Sequence, residues 1–283
     1  MISPILLYGS EVWGFGEAEN IEKVHKGFCK YVLGVPRHTS TVAVLGETAR
    51  HPMFVRYYKR CIKYWLKLLN MPDSRYPKAC YKMLYFLDQQ GRQTWASSIR
   101  KLLCKYGYQH VWEAQRVENL NVFLREFCNK VIDTFVIEWE QDIADSSKLT
   151  LYKQLKPEGI LRESYLHNVT LRKYRASLAR LRCSAHNLRI EKGRHKGEQM
   201  ADRVCRLCLT NRGEYILEDE FHLFRCPFYA NIREEHLPEL TIVECTYQMF
   251  IELLSNQEEG TQINIASYVY QANKHRSLLL KEI

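Results

Sequence analysis

Nowhere in its 283 residues does the chain place two aspartates side by side, although two-metal phosphoryl transfer relies on carboxylates held close together around magnesium. A G-x-x-x-x-G-K-[ST] phosphate loop, a G-x-S-x-G nucleophile elbow and an H-E-x-x-H helix are also missing, which removes the usual local signatures of nucleotide hydrolysis, acyl transfer and metalloproteolysis. None of the ten histidines is spaced to serve a nucleophile. Catalysis by this chain alone is therefore not expected. Long apolar runs are scarce: the opening MISPILLYGSEVW has no basic start and too short an apolar stretch to span a bilayer. Internal repeats, low-complexity tracts and sustained heptads are absent, which excludes a solenoid or a long coiled coil. Paired cysteines are few. Cys29, Cys61, Cys80, Cys104, Cys128, Cys183 and Cys245 stand singly, most of them in helix-like segments, and read as buried free thiols of a reducing compartment. The expectation is an intracellular chain, nuclear or cytoplasmic, with no membrane partner.

The remaining three cysteines fall in CRLCLTNRGEYILEDEFHLFRC, residues 205–226. Cys205 and Cys208 have the C-x2-C spacing that lets one tight turn aim two thiolates at one ion. His222 and Cys226, at i and i+4, share one face of a helix. Four such ligands with no open position describe a structural zinc site rather than a catalytic one. Glu218, Asp219 and Glu220 suit the positive end of that helix, and Gly213 lies where the chain must reverse. The bland alternative is unrelated buried thiols and a surface histidine.

Net charge is +9, unevenly spread. Residues 50–105 carry 13 Lys or Arg against 2 acids, residues 162–206 carry 12 against 4, and the stretch from Leu207 onward carries 12 acids against 6 bases. Two basic blocks on acidic ground point to a polyanion, with RNA or DNA backbone as the natural partner. The competing reading is solvated helix faces.

Periodicity predicts helices throughout. Residues 17–33 repeat Ile21, Val24, Phe28 and Tyr31 or Val32, and HTSTV then breaks the pattern. Residues 52–71 place Val55, Tyr58, Ile62, Trp65, Leu66 and Leu69 on one face and Arg56, Lys59 or Arg60, Lys63 and Lys67 on another, a cationic ridge of about three turns. Two helices follow across 76–106, separated by Gly91 and capped at Thr94; the longest clean period, 119–143, reads as a core helix. The segment 145–159 reads as a boundary, dividing the chain into 1–148 and 149–283. Beyond it a second basic helix carries Arg172, Arg175 and Arg182 outward, and EKGRHKG, with Lys192 and Arg194, reads as a glycine-punctuated loop leading to Cys205. Two further helices are expected near 244–256 and 262–281. The fold class is mainly α: a helical bundle, then a helical module with a small CCHC zinc knuckle.

Several strings, in this order, resemble the C-terminal region of the reverse transcriptase of non-LTR (LINE-type) retrotransposons: LLYGSEVWG at 6–14, FCKYVLGVPRHTS at 28–40, IKYWLKLL at 62–69, LRIEKGR at 188–194, then CRLC and EDEFHLFRCPFY with Arg233 beyond. The run GETARHP at 46–52 departs from the Gly-Glu-Leu-Gly-Arg-like run usual there. The resemblance implies a thumb-like bundle up to about residue 145 whose ridge, Arg56, Lys59, Lys63 and Lys67, lies on template and primer. It implies a zinc-ordered gripping module in which Arg172, Arg175, Arg182, Lys192 and Arg194 meet phosphates. The endonuclease and palm of that family have no counterpart here, so the implied role is a nucleic-acid-binding fragment, with the polymerase portion of the same element as a further partner. A non-catalytic scaffold stapled by zinc and a decayed reading frame are the alternatives.

Overall fold

The computed structural model describes residues 2–15, 19–156, 159–242 and 245–282. These form α1 (Ile2–Leu6), α2 (Ser10–Trp13), α3 (Glu19–Leu33), α4 (Thr41–Thr48), α5 (Phe54–Leu69), α6 (Tyr76–Gln89), α7 (Trp95–Lys105), α8 (Gln109–Ala114) and α9 (Leu120–Asp145). The series continues with α10 (Thr150–Leu155), α11 (Tyr165–Asn168), α12 (Arg172–Arg182), α13 (Arg189–His195), α14 (Arg206–Arg212), α15 (Glu220–Arg225), α16 (Ala230–His236), α17 (Glu239–Ile242), α18 (Tyr247–Ser255) and α19 (Glu259–Leu279). The protein is mainly helical, and among the described residues the only β pairing is a single antiparallel bridge, Val204 to Leu217.

Two compact units divide the chain, one of residues 1–25 and 51–139, the other of 26–50 and 140–283. This differs from a cut at 148. Residues 26–50 belong with the second half because Cys29, Leu33, Val35 and Val44 are buried in its core alongside Leu178, Leu181 and Phe224. At Gly34 the backbone adopts a left-handed conformation (φ 68°), and a Cβ there would sit 2.6 Å from the Ala176 Cβ. Only glycine lets the chain cross α12 that closely.

The first unit follows its sequence pattern. Ile62, Trp65 and Leu66 of α5 are buried with Ile99 and Leu103 of α7 and Phe123, Phe127 and Val131 of α9. Trp65 stacks on Trp112, and its indole N–H donates to the Tyr81 hydroxyl at 2.8 Å, so the ring's polar edge is satisfied inside the core. Thr94 caps α7 in a reciprocal arrangement with Ser97, and Arg100 of α7 holds Asp88 of α6 through two hydrogen bonds of 2.9 and 3.0 Å. Pairing Arg100 with a carboxylate through two bonds makes the α6–α7 corner rigid.

Helix α3 turns out the opposite way from its apparent stripe. Val24, Phe28, Tyr31 and Val32 are exposed, while Cys29 and Leu33 are buried and the Glu22 carboxylate accepts the Phe54 N–H at 2.9 Å. Leu33 and Cys29 fix the rotation of the helix, and capping the start of α5 requires Glu22 on the inner side.

In the second unit α12 and α19 pack against each other around Leu178, Ala179, Ile265, Tyr268 and Ala272. The expected break at HTSTV runs into α4 from Thr41, and residues 191–195 of EKGRHKG belong to the helix α13 rather than to a loop, with Lys196 and Gly197 just past its end. Gly193 explains the latter: a Cβ would meet Arg203 and Glu198 at 2.6 Å, so the glycine lets a helix lie close under them instead of ending it.

Candidate functional site

Chain geometry brings Cys205, Cys208, His222 and Cys226 together, all buried, with their ligand atoms within 4.8 Å of one another. The first pair sits at the start of α14, where Cys205 is the residue preceding the helix and its carbonyl accepts the Leu209 N–H. Gly213, in the left-handed conformation (φ 68°), ends that helix by donating to the Leu209 carbonyl. The second pair belongs to α15, capped by Asp219, which accepts the His222 N–H at 2.7 Å. Between the pairs, Cys205 N–H donates to Ile216 and Glu218 N–H to Arg203, at 2.7 and 2.9 Å. These two bonds zip the two halves of the site together.

The separations fit a four-coordinate ion. Cys208 Sγ lies 3.5 Å from His222 Nε2 and 3.8 Å from Cys226 Sγ. Bonds of about 2.3 Å to sulfur and about 2.0 Å to nitrogen give tetrahedral edges of about 3.6 and 3.8 Å. The thiols also interact electrostatically. Hydrogen bonding from Cys226, with further help from His222, pulls Cys205 down to about 4. Burial and the neighbouring Cys205 charge push Cys208 up to about 11, and the hydrogen bond to Cys205 raises Cys226. Three thiolates in one buried cluster repel one another, so their joint ionisation calls for a cation among them.

Buried ion pairs brace the site. Arg276 of α19 donates to both Glu218 oxygens at 2.6 and 2.7 Å, and the Arg189 N–H donates to the same carboxylate at 2.7 Å. His186 pairs with Glu220 at 2.8 Å. At the far end of α15, Arg233 donates to the Phe224 and Cys226 carbonyls and the Tyr268 hydroxyl to the Leu223 carbonyl, which satisfies groups a helix end leaves open. The acid run 218–220 thus orients the ligand-bearing turn by three separate partners. Arg276, 58 residues away, carries no local signal of its role.

The basic residues divide. Arg56, Lys59, Lys63 and Lys67 are exposed along one face of α5, and Lys59, Lys63 and Lys67 form no ion pair among the described residues. Lys63 and Lys67, with Arg60 and Tyr64, line a groove of about 810 Å3 whose other wall is Leu120, Asn121 and Leu124. Tyr57 and Trp65, on the other side of the same helix, are buried in the core.

In the second unit the expected phosphate contacts are largely engaged internally. Arg182 is 2% exposed, a correction to its expected outward position. It bonds Glu47 at 3.1–3.3 Å, Glu163 at 2.8 Å and the Leu254 carbonyl at 2.8 Å, and Glu47 also accepts the Tyr165 hydroxyl at 2.6 Å. Lying four residues beyond Leu178, Arg182 falls on the apolar stripe of its helix and not opposite it. Arg175 donates to the Val169 carbonyl at 2.9 Å, and Arg194 pairs with Glu191 at 3.4 Å. Arg172 is exposed with its guanidinium 4.8 Å from the Tyr31 ring centre. Lys192 is exposed, and partial burial beside Arg276 lowers its pKa. Glu47 and Glu163 escape a sequence reading as anchors because their partner is distant along the chain.

The class these features define is a mainly helical protein with a buried three-cysteine, one-histidine cluster able to hold a metal ion. No protein family, curated protein or solved structure matches the chain. Among the described residues no helix is long and apolar enough to cross a membrane.

Proposed function

We propose that the chain is a zinc-stapled nucleic-acid-binding fragment of a LINE-type reverse transcriptase, with no polymerase or nuclease chemistry of its own. The observation that carries the reading is the α5 face, where Arg56, Lys59, Lys63 and Lys67 stand exposed along the helix beside an open groove. From Arg56 to Lys67 the ridge is about 16 Å long at a rise of about 1.5 Å per residue, which is long enough to follow several phosphates of one strand. Contacts of this kind set position and carry little sequence information. Exposed Arg172 and Lys192 are the remaining phosphate candidates in the second unit; Arg175 and Arg182 serve the fold instead, and Arg194 pairs with Glu191.

Zinc is the ion the donor set favours. Three sulfurs and one imidazole suit a borderline-soft, tetrahedral cation, and four protein ligands leave no position for water or substrate. The ion's contribution is then structural: it ties the α14 turn to α15. Partners in this reading are RNA or DNA backbone and the polymerase portion of the same element.

Binding to a duplex and to a single strand, measured from low to high salt, tests the proposal. The logarithm of affinity should fall linearly with that of salt, with a slope of about 0.9 per phosphate contact on duplex and about 0.7 on single strand. Weak binding that does not respond to salt would favour a scaffold role.

A further inference from the structure

Within the second unit, a cavity of about 580 Å3 opens beside the metal-bearing turn. Its floor is aromatic: Phe221, Tyr247 and Phe250 have ring centres 5.3–5.8 Å apart. Glu191 of α13, only 3% exposed, also lines the cavity, as do its ion-pair partners Lys148 and Arg194. Both cations stand 3.4 Å from the Glu191 carboxylate, Lys148 at Oε2 and Arg194 at Oε1. Good hydrogen bonds of this type measure about 2.7–2.9 Å. Accordingly the buried Glu191 Oε2 and Arg194 Nε make no hydrogen bond. A buried carboxylate with unspent acceptor capacity is costly unless something supplies donors.

We infer that this cavity takes a guanine base, inserted against the aromatic floor and read by Glu191. The inference deepens the nucleic-acid reading above and rests on it where the base comes from a strand. Guanine is singled out by its edge, which presents an acceptor, O6, followed by two donors, N1–H and the N2 amine. Turned toward the cavity, Glu191 would present two acceptor oxygens, and Lys148 or Arg194 beside it a donor for O6. Adenine and cytosine set a ring acceptor beside their amine, facing a carboxylate oxygen with no proton between, and uracil has one donor between two acceptors. A cavity of this size holds a single nucleotide. Unpaired bases stacked on aromatic rings and read along this edge are the usual currency of single-strand recognition.

The test is calorimetric titration of the full, zinc-loaded chain with guanosine, adenosine, cytidine and uridine 5′-monophosphates. Guanosine monophosphate should bind roughly tenfold or more tightly than the others, the discrimination a bidentate base contact provides. Glu191→Gln should erase that preference, and Tyr247→Ala, at an exposed position, should weaken binding about tenfold by removing a stacking partner. Because Glu191 is buried, its variant is used only if zinc content and melting match the parent; if they do not, Tyr247→Ala decides. Absence of binding by a folded chain, equal affinity for all four nucleotides, or a folded Glu191→Gln that keeps the preference overturns the inference. Short strands with and without a guanine separate the sources: a strand that outcompetes the free nucleotide identifies an unstacked strand base, and equal affinity identifies a free nucleotide. If polyanion affinity is salt-insensitive while guanosine monophosphate binds, the pocket stands and the strand reading falls. If strand affinity is salt-dependent but shows no guanine selectivity, the strand reading stands and the pocket falls.

Discussion

Replacing Arg182 by Met separates a buried anchor from a phosphate contact. The guanidinium holds two carboxylates, Glu47 at 3.1 Å and Glu163 at 2.8 Å, and caps the Leu254 carbonyl. Methionine fills most of the volume but leaves two acids with less compensation: Glu47 keeps the Tyr165 hydroxyl and Glu163 keeps Lys156 at 2.5 Å. Breaking a buried pair from one side costs about 3–5 kcal/mol, and the second acid argues for the upper part of that range. At a urea slope of about 2–3 kcal/mol/M the midpoint of the second unit should fall by about 1–2 M. All five tryptophans lie at positions 13, 65, 95, 112 and 139, in the first unit. Tryptophan emission therefore reports the first unit, while release of bound zinc to a coloured chelator reports the second. The zinc-release midpoint should drop, and the salt slope for nucleic-acid binding should stay unchanged. A stability loss below about 1 kcal/mol together with a slope lower by about 0.9, the signature of one lost phosphate contact, would refute the buried-anchor reasoning.

Other consequences can be measured separately. The double variant Lys63→Gln/Lys67→Gln should lower the duplex salt slope by about 1.8 without changing melting, since neither side chain is buried; an unchanged slope removes α5 from the interface. Metal analysis should find about one zinc per chain and none in Cys208→Ser, and stripping the ion should cost helical signal in far-ultraviolet dichroism, since ligand binding and local folding are coupled. Retention of full signal by a metal-free chain would contradict this. Asp88→Asn should destabilise the first unit by about 2 kcal/mol at neutral pH. The hydrogen bond from Arg100 lowers the Asp88 pKa, so its stabilisation is complete above the unfolded value of about 3.9 and fades as pH falls through the lower folded value. Parent and variant tryptophan transitions should therefore converge below about pH 4; a gap that persists into strong acid would rule out the pair as its source. Gly34→Ala should be poorly tolerated, because its methyl would meet Ala176 in a left-handed backbone; a melt within about 0.5 kcal/mol of the parent would show that α12 can move aside.

What can be read from residues alone follows the range over which each feature is encoded. The four residues of the Cys/His cluster sit within 22 residues and their spacing is local, as are the amphipathic α5, the Thr94 cap and the apolar face of α9. The orientation of α3 defeats a pattern reading because its stripe of Val24, Phe28 and Tyr31 is more apolar than the face that is buried; the deciding contacts, Glu22 to Phe54 and Leu33 with the core of the second unit, lie outside the helix. The burial of Arg182 is set by Glu47, 135 residues earlier, and no window of sequence contains both. The same separation hides the membership of residues 26–50. Charge density locates the first basic surface correctly as exposed, yet over-counts the second, because several of its arginines neutralise acids of the same unit.

The clamp from Arg276 onto Glu218 ties the cluster-bearing turn to α19, which is made long after it. Every residue of the cluster has been translated by Cys226, and Arg189, His186 and Asp219 already brace the turn, yet the guanidinium that grips both Glu218 oxygens comes fifty residues later. A product terminated anywhere in that interval carries a complete set of sulfurs and imidazole on a turn that lacks this one brace. Once loaded with metal, such a product should therefore release the ion faster than a chain carried through Arg276.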